Sequence, residues 1–327
     1  MKKNRETWID MLRGIGALLV LLGHLVPETS KLKLYIYSFH MPMFFFISGY
    51  LFKYNSNIKY LIKDKFKKLI IPYFVFNVIS LVITVILGTR YSIKDIFFGL
   101  FYIKGNIPWN TSLWFFIILF YDIIITNMIF MFVKNNKNKF IGMFFINIIL
   151  CLLLKRYNII LPFGLSVMFF SLIFYWLGYI FKNYISNIKD YIFNIFEKRI
   201  MILPIILLFI LSFYISYHNQ RVVMSQCLYP RFIIFIFLSI SGIFIFSYIA
   251  RKINNNNLLN IFSSLSLVMF STQRIIFKFI DLIALKLNIT LIGSSNYFIV
   301  MFLFIFISIM YLVYYQLKNE MRSKHEK

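Results

Sequence analysis

Residues 8–26, WIDMLRGIGALLVLLGHLV, and residues 35–52, YIYSFHMPMFFFISGYLF, decide the fold and locate its chemistry. Each is long enough to cross the roughly 30 Å hydrocarbon core of a bilayer as a helix. Each also carries groups that lipid rejects: Asp10, Arg13 and His24 in the first, His40 and Ser48 in the second. An ionisable side chain within a span costs several kcal/mol unless it is paired or faces a wet cavity, so each is a candidate functional residue. Arg13 and His24 are 11 residues apart, which at about 100° per residue leaves them about 20° apart around the helix and about 16 Å apart along it. Asp10 lies one turn before Arg13 and is placed to pair with it at i,i+3. The first helix therefore turns one polar face, at two depths, into the protein.

The composition supports this outward from the two stretches. Of 327 residues, 61% are hydrophobic and 14% charged, which excludes a soluble domain with an ordinary surface and indicates an integral membrane protein. Asp10 and Arg13 interrupt the first apolar segment and no small-residue cleavage site follows it, so it reads as a retained helix and not a secretory leader. Windows of sufficient length predict ten spans, at 8–26, 35–52, 69–88, 112–133, 140–154, 159–181, 200–217, 231–250, 258–278 and 296–316. The fifth is short and the ninth is the most polar. The expected fold is an all-α integral membrane protein of about ten transmembrane helices, one domain over residues 1–327 with no appended soluble domain. The segment 88–111 holds an apolar run suited to an amphipathic helix along the interface.

The net charge of +24 would suggest nucleic acid in a soluble chain. Its distribution gives a different reading. With both termini cytoplasmic, 22 of the 35 Lys and Arg residues fall on the inner side, 11 on the outer side and two within spans. That is the positive-inside pattern, and it implies attraction to anionic membrane lipids and no nucleic-acid partner. Cys151 and Cys227 form no metal or redox spacing and read as unbonded; no metal is expected.

Of four histidines, two fall in the first pair of spans, His24 and His40, both in the outer half; His218 and His325 read as solvated. A neutral imidazole suits the removal of a proton from a sugar hydroxyl near neutral pH. The alternative for each is an interhelical hydrogen bond with no chemical role. Arg13 keeps its charge and must be paired or bind an anion; Asp10 is the plain partner, a phosphate or thioester carbonyl the functional one. Lys65 and Lys68, one turn apart before the third span, suit the phosphates of a cytosolic nucleotide-bearing donor, although positive-inside placement alone also predicts lysines there. Asp122 needs a partner, with a histidine and Arg274 as candidates, and Arg274 in turn needs a partner or an anion. Glu28 is four residues beyond His24 and a candidate to orient it, although Pro27 intervenes. Trp109 and Trp114 read as interfacial belt residues.

The stretches RETWIDMLRGIGALLVLLGH, YSFHMPMFFFISGYLF, KFKKLIIPYF and SLWFFIILF, in this order, resemble the acyltransferase 3 family of ten-helix membrane acyltransferases, and more narrowly its fucose 4-O-acetylase-like branch. Beyond about residue 120 the resemblance rests on span count and the LPF…FYWLGY pattern. It implies an O-acetyltransferase of the bacterial cytoplasmic membrane. Such an enzyme moves an acyl group from cytosolic acetyl-CoA to a hydroxyl of a cell-surface polysaccharide or its lipid-linked precursor. His24 then matches the family's catalytic histidine, Arg13 the preceding arginine and His40 the histidine of the FHMP motif. Lys65 and Lys68 stand where many members carry an Arg-x-x-Arg pair. Gln273 and Arg274 stand where many end a Ser-rich ninth helix with histidine. The competing reading from another class is a transporter or exporter of glycan intermediates, weakened by the absence of an internal repeat.

Overall fold

The computed structural model describes residues 6–103, 105–134, 136–253, 255–286 and 315. Among them the secondary structure is helical apart from an isolated bridge between Val223 and Leu228. The α-helices are α1 (Thr7–Leu25), α2 (Lys31–Tyr50), α3 (Ile58–Lys65), α4 (Ile71–Ile86), α5 (Ile93–Leu100), α6 (Trp114–Val133), α7 (Lys137–Arg156), α8 (Leu165–Asn183), α9 (Ser186–Glu197), α10 (Ile202–Tyr217), α11 (Phe232–Ile253) and α12 (Asn257–Lys286). α3 runs into α4 through a π turn at Phe66–Ile70, just ahead of Pro72, whose missing N–H interrupts the ordinary i→i−4 ladder.

Helices occupy each of the first nine predicted spans; the tenth, 296–316, lies outside the described residues except for Tyr315. By length and composition, 7 helical segments among the described residues can cross a membrane. α2 and α12, which cover the second and ninth predicted spans, are not among the seven, and they are the helices that carry His40 and Arg274. The segment expected to lie along the interface forms α5, started by Ser92, whose hydroxyl accepts from the Asp95 N–H.

α2 is the hub, packed against α1, α8, α10 and α11, while α1 also packs along α11 and α12. Of the apolar windows, α1 and α8 are 67% buried but α7 and α10 only 17%, so the latter two leave most of their surface to lipid. Close approach at the hub is set by glycines. The Tyr175 carbonyl of α8 occupies the place a Cβ would take at Gly49, and the Phe46 carbonyl of α2 does the same at Gly178. Gly14 is likewise pressed on the Leu259 backbone, and Gly242 on the Phe39 ring. Within a membrane, where lipid is as apolar as leucine, such small-residue contacts let backbones pack tightly enough for dispersion to hold helices together.

Pro42 lies inside α2 and leaves the Ser38 carbonyl without its i+4 donor. The Ser239 hydroxyl of α11 donates to that carbonyl at 2.8 Å. A backbone group that lipid cannot satisfy thus ties two helices together.

The bundle has two distinct ends. At one stand His24, Tyr37, Gln273, Arg274, and the loop residues Tyr102, 105–107 and 221–226. At the other, the Tyr50 hydroxyl donates to Glu6, Trp8 packs edge-on to Tyr50 and Phe193, and Arg251 and Lys252 meet Glu197 of the amphipathic α9.

The glycine interlock predicts a graded loss of stability. Gly178→Ala forces a methyl onto the Phe46 carbonyl and should destabilise the fold by about 1–3 kcal/mol. Gly142→Ala, where nothing lies within 4 Å, should not. Thermal midpoints of the two purified variants in one detergent check this; equal midpoints would contradict the interlock.

Candidate active site

α1 ends at Leu25 because Val26, preceding Pro27, is extended, and this places His24 in the last turn. Beside it Gly23 admits α2: a Cβ there would stand 3.1 Å from the Tyr37 ring. The Tyr37 hydroxyl meets His24 Nδ1 at 3.2 Å. One turn further along α2, His40 lies with its ring centroid 5.0 Å from that of Tyr37. Its Nδ1 donates to the Ile36 carbonyl at 2.7 Å, so in neutral His40 the proton sits on Nδ1 and Nε2 carries the lone pair. In both histidines Nδ1 is occupied and Nε2 is the nitrogen left for a ligand. His24 is a base at Nε2 when its own Nδ1–H donates to the Tyr37 oxygen.

These side chains line a cavity of about 150 Å³. Val20, Met41, Phe115 and Phe270 supply its apolar wall, and His24, His40, Ser112, Gln273 and Arg274 its polar one. The Tyr102 hydroxyl donates to the Ser225 carbonyl at 2.8 Å and so joins the two loops above the cavity. The part of α12 beside the cavity is held in register from three directions. Gln273 Nε2 donates to the Ser112 hydroxyl at 2.9 Å, Asn110 Nδ2 to the Ser271 carbonyl at 2.8 Å, and Lys278 Nζ to the Thr84 hydroxyl at 2.9 Å.

The mouth of the cavity is cationic. Lys33 lies 2.8 Å from Glu28, and Arg221 forms a second ion pair with the same carboxylate. Lys33 precedes the predicted span; burial, and then the Arg274 charge, pull its ammonium down to about 8. Among the described residues Arg274 Nε has no hydrogen-bond partner. Arg221 also stands over the Tyr37 ring, 5.5 Å from its centroid.

The remaining expected residues lie elsewhere. Arg13 and Asp10 are both engaged by partners, but neither lines the cavity; Ser263 of α12 donates to Asp10 at 3.4 Å. Arg13 stands about three turns from His24 on α1, too far for both to act on one atom. Ser48 donates back to the Phe44 carbonyl of its own helix at 2.8 Å. Lys65 and Lys68 are paired with Asp64, at 3.1 and 2.7 Å. Asp122 accepts from the Ser171 hydroxyl of α8 at 2.9 Å, in place of a histidine or Arg274. Glu28 is held by Lys33 and Arg221 and does not orient His24; Tyr37 takes that position. Trp109 and Trp114 are buried, not interfacial: Trp109 Nε1 donates to Asn77, and Trp114 lines the cavity. Both cysteines are free, and burial pushes the Cys227 thiol up to about 12, which leaves it unreactive.

Tyr37, Arg221 and Ser112, the partner of Gln273, are the site residues that sequence reasoning passed over. Tyr37 was within reach, since it stands at i−3 from His40 on the same face of α2.

A family model described as an acyltransferase domain matches residues 6–315. No curated protein and no solved structure matches the chain.

If Tyr37 orients the His24 ring, Tyr37→Phe removes one hydrogen bond, about 1 kcal/mol or somewhat more, and keeps the packing. Acyl transfer should fall about tenfold with an unchanged thermal midpoint; an unchanged rate would make the tyrosine a packing residue only.

Proposed function

The chain belongs to the acyltransferase 3 family and is a membrane acyltransferase; we propose that it is an O-acetyltransferase that acetylates a hydroxyl of a cell-surface polysaccharide or its lipid-linked precursor. The observation that carries this reading is the pairing of His24 with Tyr37 at the wall of a polar cavity, which occupies Nδ1 and leaves Nε2 of the imidazole for a ligand. The reading includes ten spans with both termini in the cytoplasm of a bacterium, supported by the basic residues on the side away from the histidines. It also includes the fucose 4-O-acetylase-like branch, supported by the FHMP stretch at residues 39–42.

His24 Nε2 takes the proton of the acceptor hydroxyl as that oxygen attacks the thioester carbonyl carbon of acetyl-CoA. The tetrahedral oxyanion collapses, the C–S bond breaks, and the coenzyme A thiolate recovers the proton from the His24 imidazolium. The products are the acetyl ester and free thiol. His40, with Nδ1 committed to Ile36, holds the acceptor by accepting a hydrogen bond at Nε2 and stabilises negative charge only as imidazolium. Donor enters from the lysine-rich end, where Arg13, Lys65 and Lys68 stand along its path; acceptor enters at the histidine end. To meet donor phosphates Lys65 and Lys68 must leave Asp64, and as lysines they act as point charges without the bidentate fork of arginine.

Purified protein supplied with radiolabelled acetyl-CoA and an acceptor glycan should transfer label with no ion gradient. His24→Ala should lower that transfer by at least about 100-fold while the protein elutes and melts as wild type. Transfer at the wild-type rate in that variant would remove the histidine from the chemistry.

A further inference from the structure

The charge at the mouth of the cavity exceeds what folding uses. Glu28 is shared by Lys33 and Arg221, and Arg274 lines the same cavity as Glu28 and Arg221. Arg274 is left in the wall with its Nε unpartnered among the described residues, although a guanidinium in a span is expensive unless something answers its charge. Lys278, the next cation on α12, donates to Thr84 and adds positive charge to the same helix. The arrangement is also aimed. Tyr37 touches the His24 imidazole on one side and lies under the Arg221 guanidinium on the other, so the cationic cluster begins one side chain away from the base.

We propose that the cavity binds an acceptor carrying a negative charge, a carboxylate or a phosphate group close to the hydroxyl that is acylated, with Arg274 as its principal contact and Arg221 beside it. The inference rests on the acyl-transfer reading of the site and narrows its substrate class. A guanidinium presents two parallel N–H groups to either oxyanion, which gives orientation as well as attraction. An anion so held fixes which hydroxyl reaches His24 Nε2. Neutral sugars leave the Arg274 Nε without a partner, which costs affinity for them.

The test uses the full-length protein in phosphatidylcholine nanodiscs, whose lipid carries no net charge. Three probes are titrated by calorimetry: methyl glucuronide, glucose 1-phosphate and the neutral methyl glucoside. At least one charged probe should bind about tenfold or more tightly than methyl glucoside. Arg274→Gln should abolish that preference and Arg274→Lys should keep part of it, both variants retaining the wild-type melting midpoint. The ratio of glucuronide to phosphate affinity distinguishes a carboxylated sugar from a phosphate-bearing precursor. Equal binding of all three, binding of neither charged probe, or a preference that survives Arg274→Gln would overturn the inference. Acetyl-CoA turnover measured on the same nanodiscs separates the two readings. Turnover without charge preference leaves the acyltransferase standing and removes the anionic acceptor; charge preference without turnover does the reverse.

Discussion

The obligation to satisfy every backbone carbonyl out of reach of water organises this molecule. Pro42 withdraws one donor in the middle of the most enclosed helix, and the carbonyl it frees at Ser38 is taken by Ser239 of a different helix. That one bond sets α11 against α2 at the level of His40, while Gly49 and Gly178 lock α2 to α8 on another side. With both contacts made, the rotation of α2 is fixed, and Tyr37 and His40 face the end of α1. The FHMP stretch is thus a structural device first: its proline makes the interhelical bond, and its histidine gains a defined direction from it.

Direction then becomes chemistry. Each imidazole is pinned through Nδ1, one by a phenol and one by a backbone carbonyl, and each leaves Nε2 to the cavity. Such pinning keeps reacting groups in position before the substrate arrives, which is where much of the rate advantage of an enzyme comes from. The polar face of α1 divides the labour by depth. His24 belongs to the cavity, while Arg13, about 16 Å away along the helix, belongs with Asp10 to the layer that meets α12. An acyl donor arriving from the far end would pass the arginine before reaching the base.

Much of this could be read from the chain before any coordinates. Apolar windows located the helices because length and hydropathy report directly on the solvent a helix crosses, and the first two spans identified themselves by carrying groups that lipid rejects. Partnerships across the bundle were illegible for an equally physical reason. Gln273 with Ser112 and Asn110 with Ser271 join residues 161 positions apart, and nothing local encodes such a meeting. Glu28 misled because proximity in sequence to His24 was read as proximity in space, whereas the turn at Pro27 carries it out to Lys33 and Arg221. Trp109 and Trp114 misled because belt tryptophans and buried ones have the same flanking sequence; only the Asn77 acceptor and the cavity distinguish them.

The acetyl content of the cell-surface glycan tests the central claim most directly, by proton NMR of polysaccharide purified from cells with the wild-type gene, with His24→Ala, or with the gene deleted. The account predicts acetyl resonances, and the downfield shift of one sugar proton, in the wild type alone, with the variant inserted in the membrane at a normal level. Unchanged acetylation in the variant or in the deletion would contradict it.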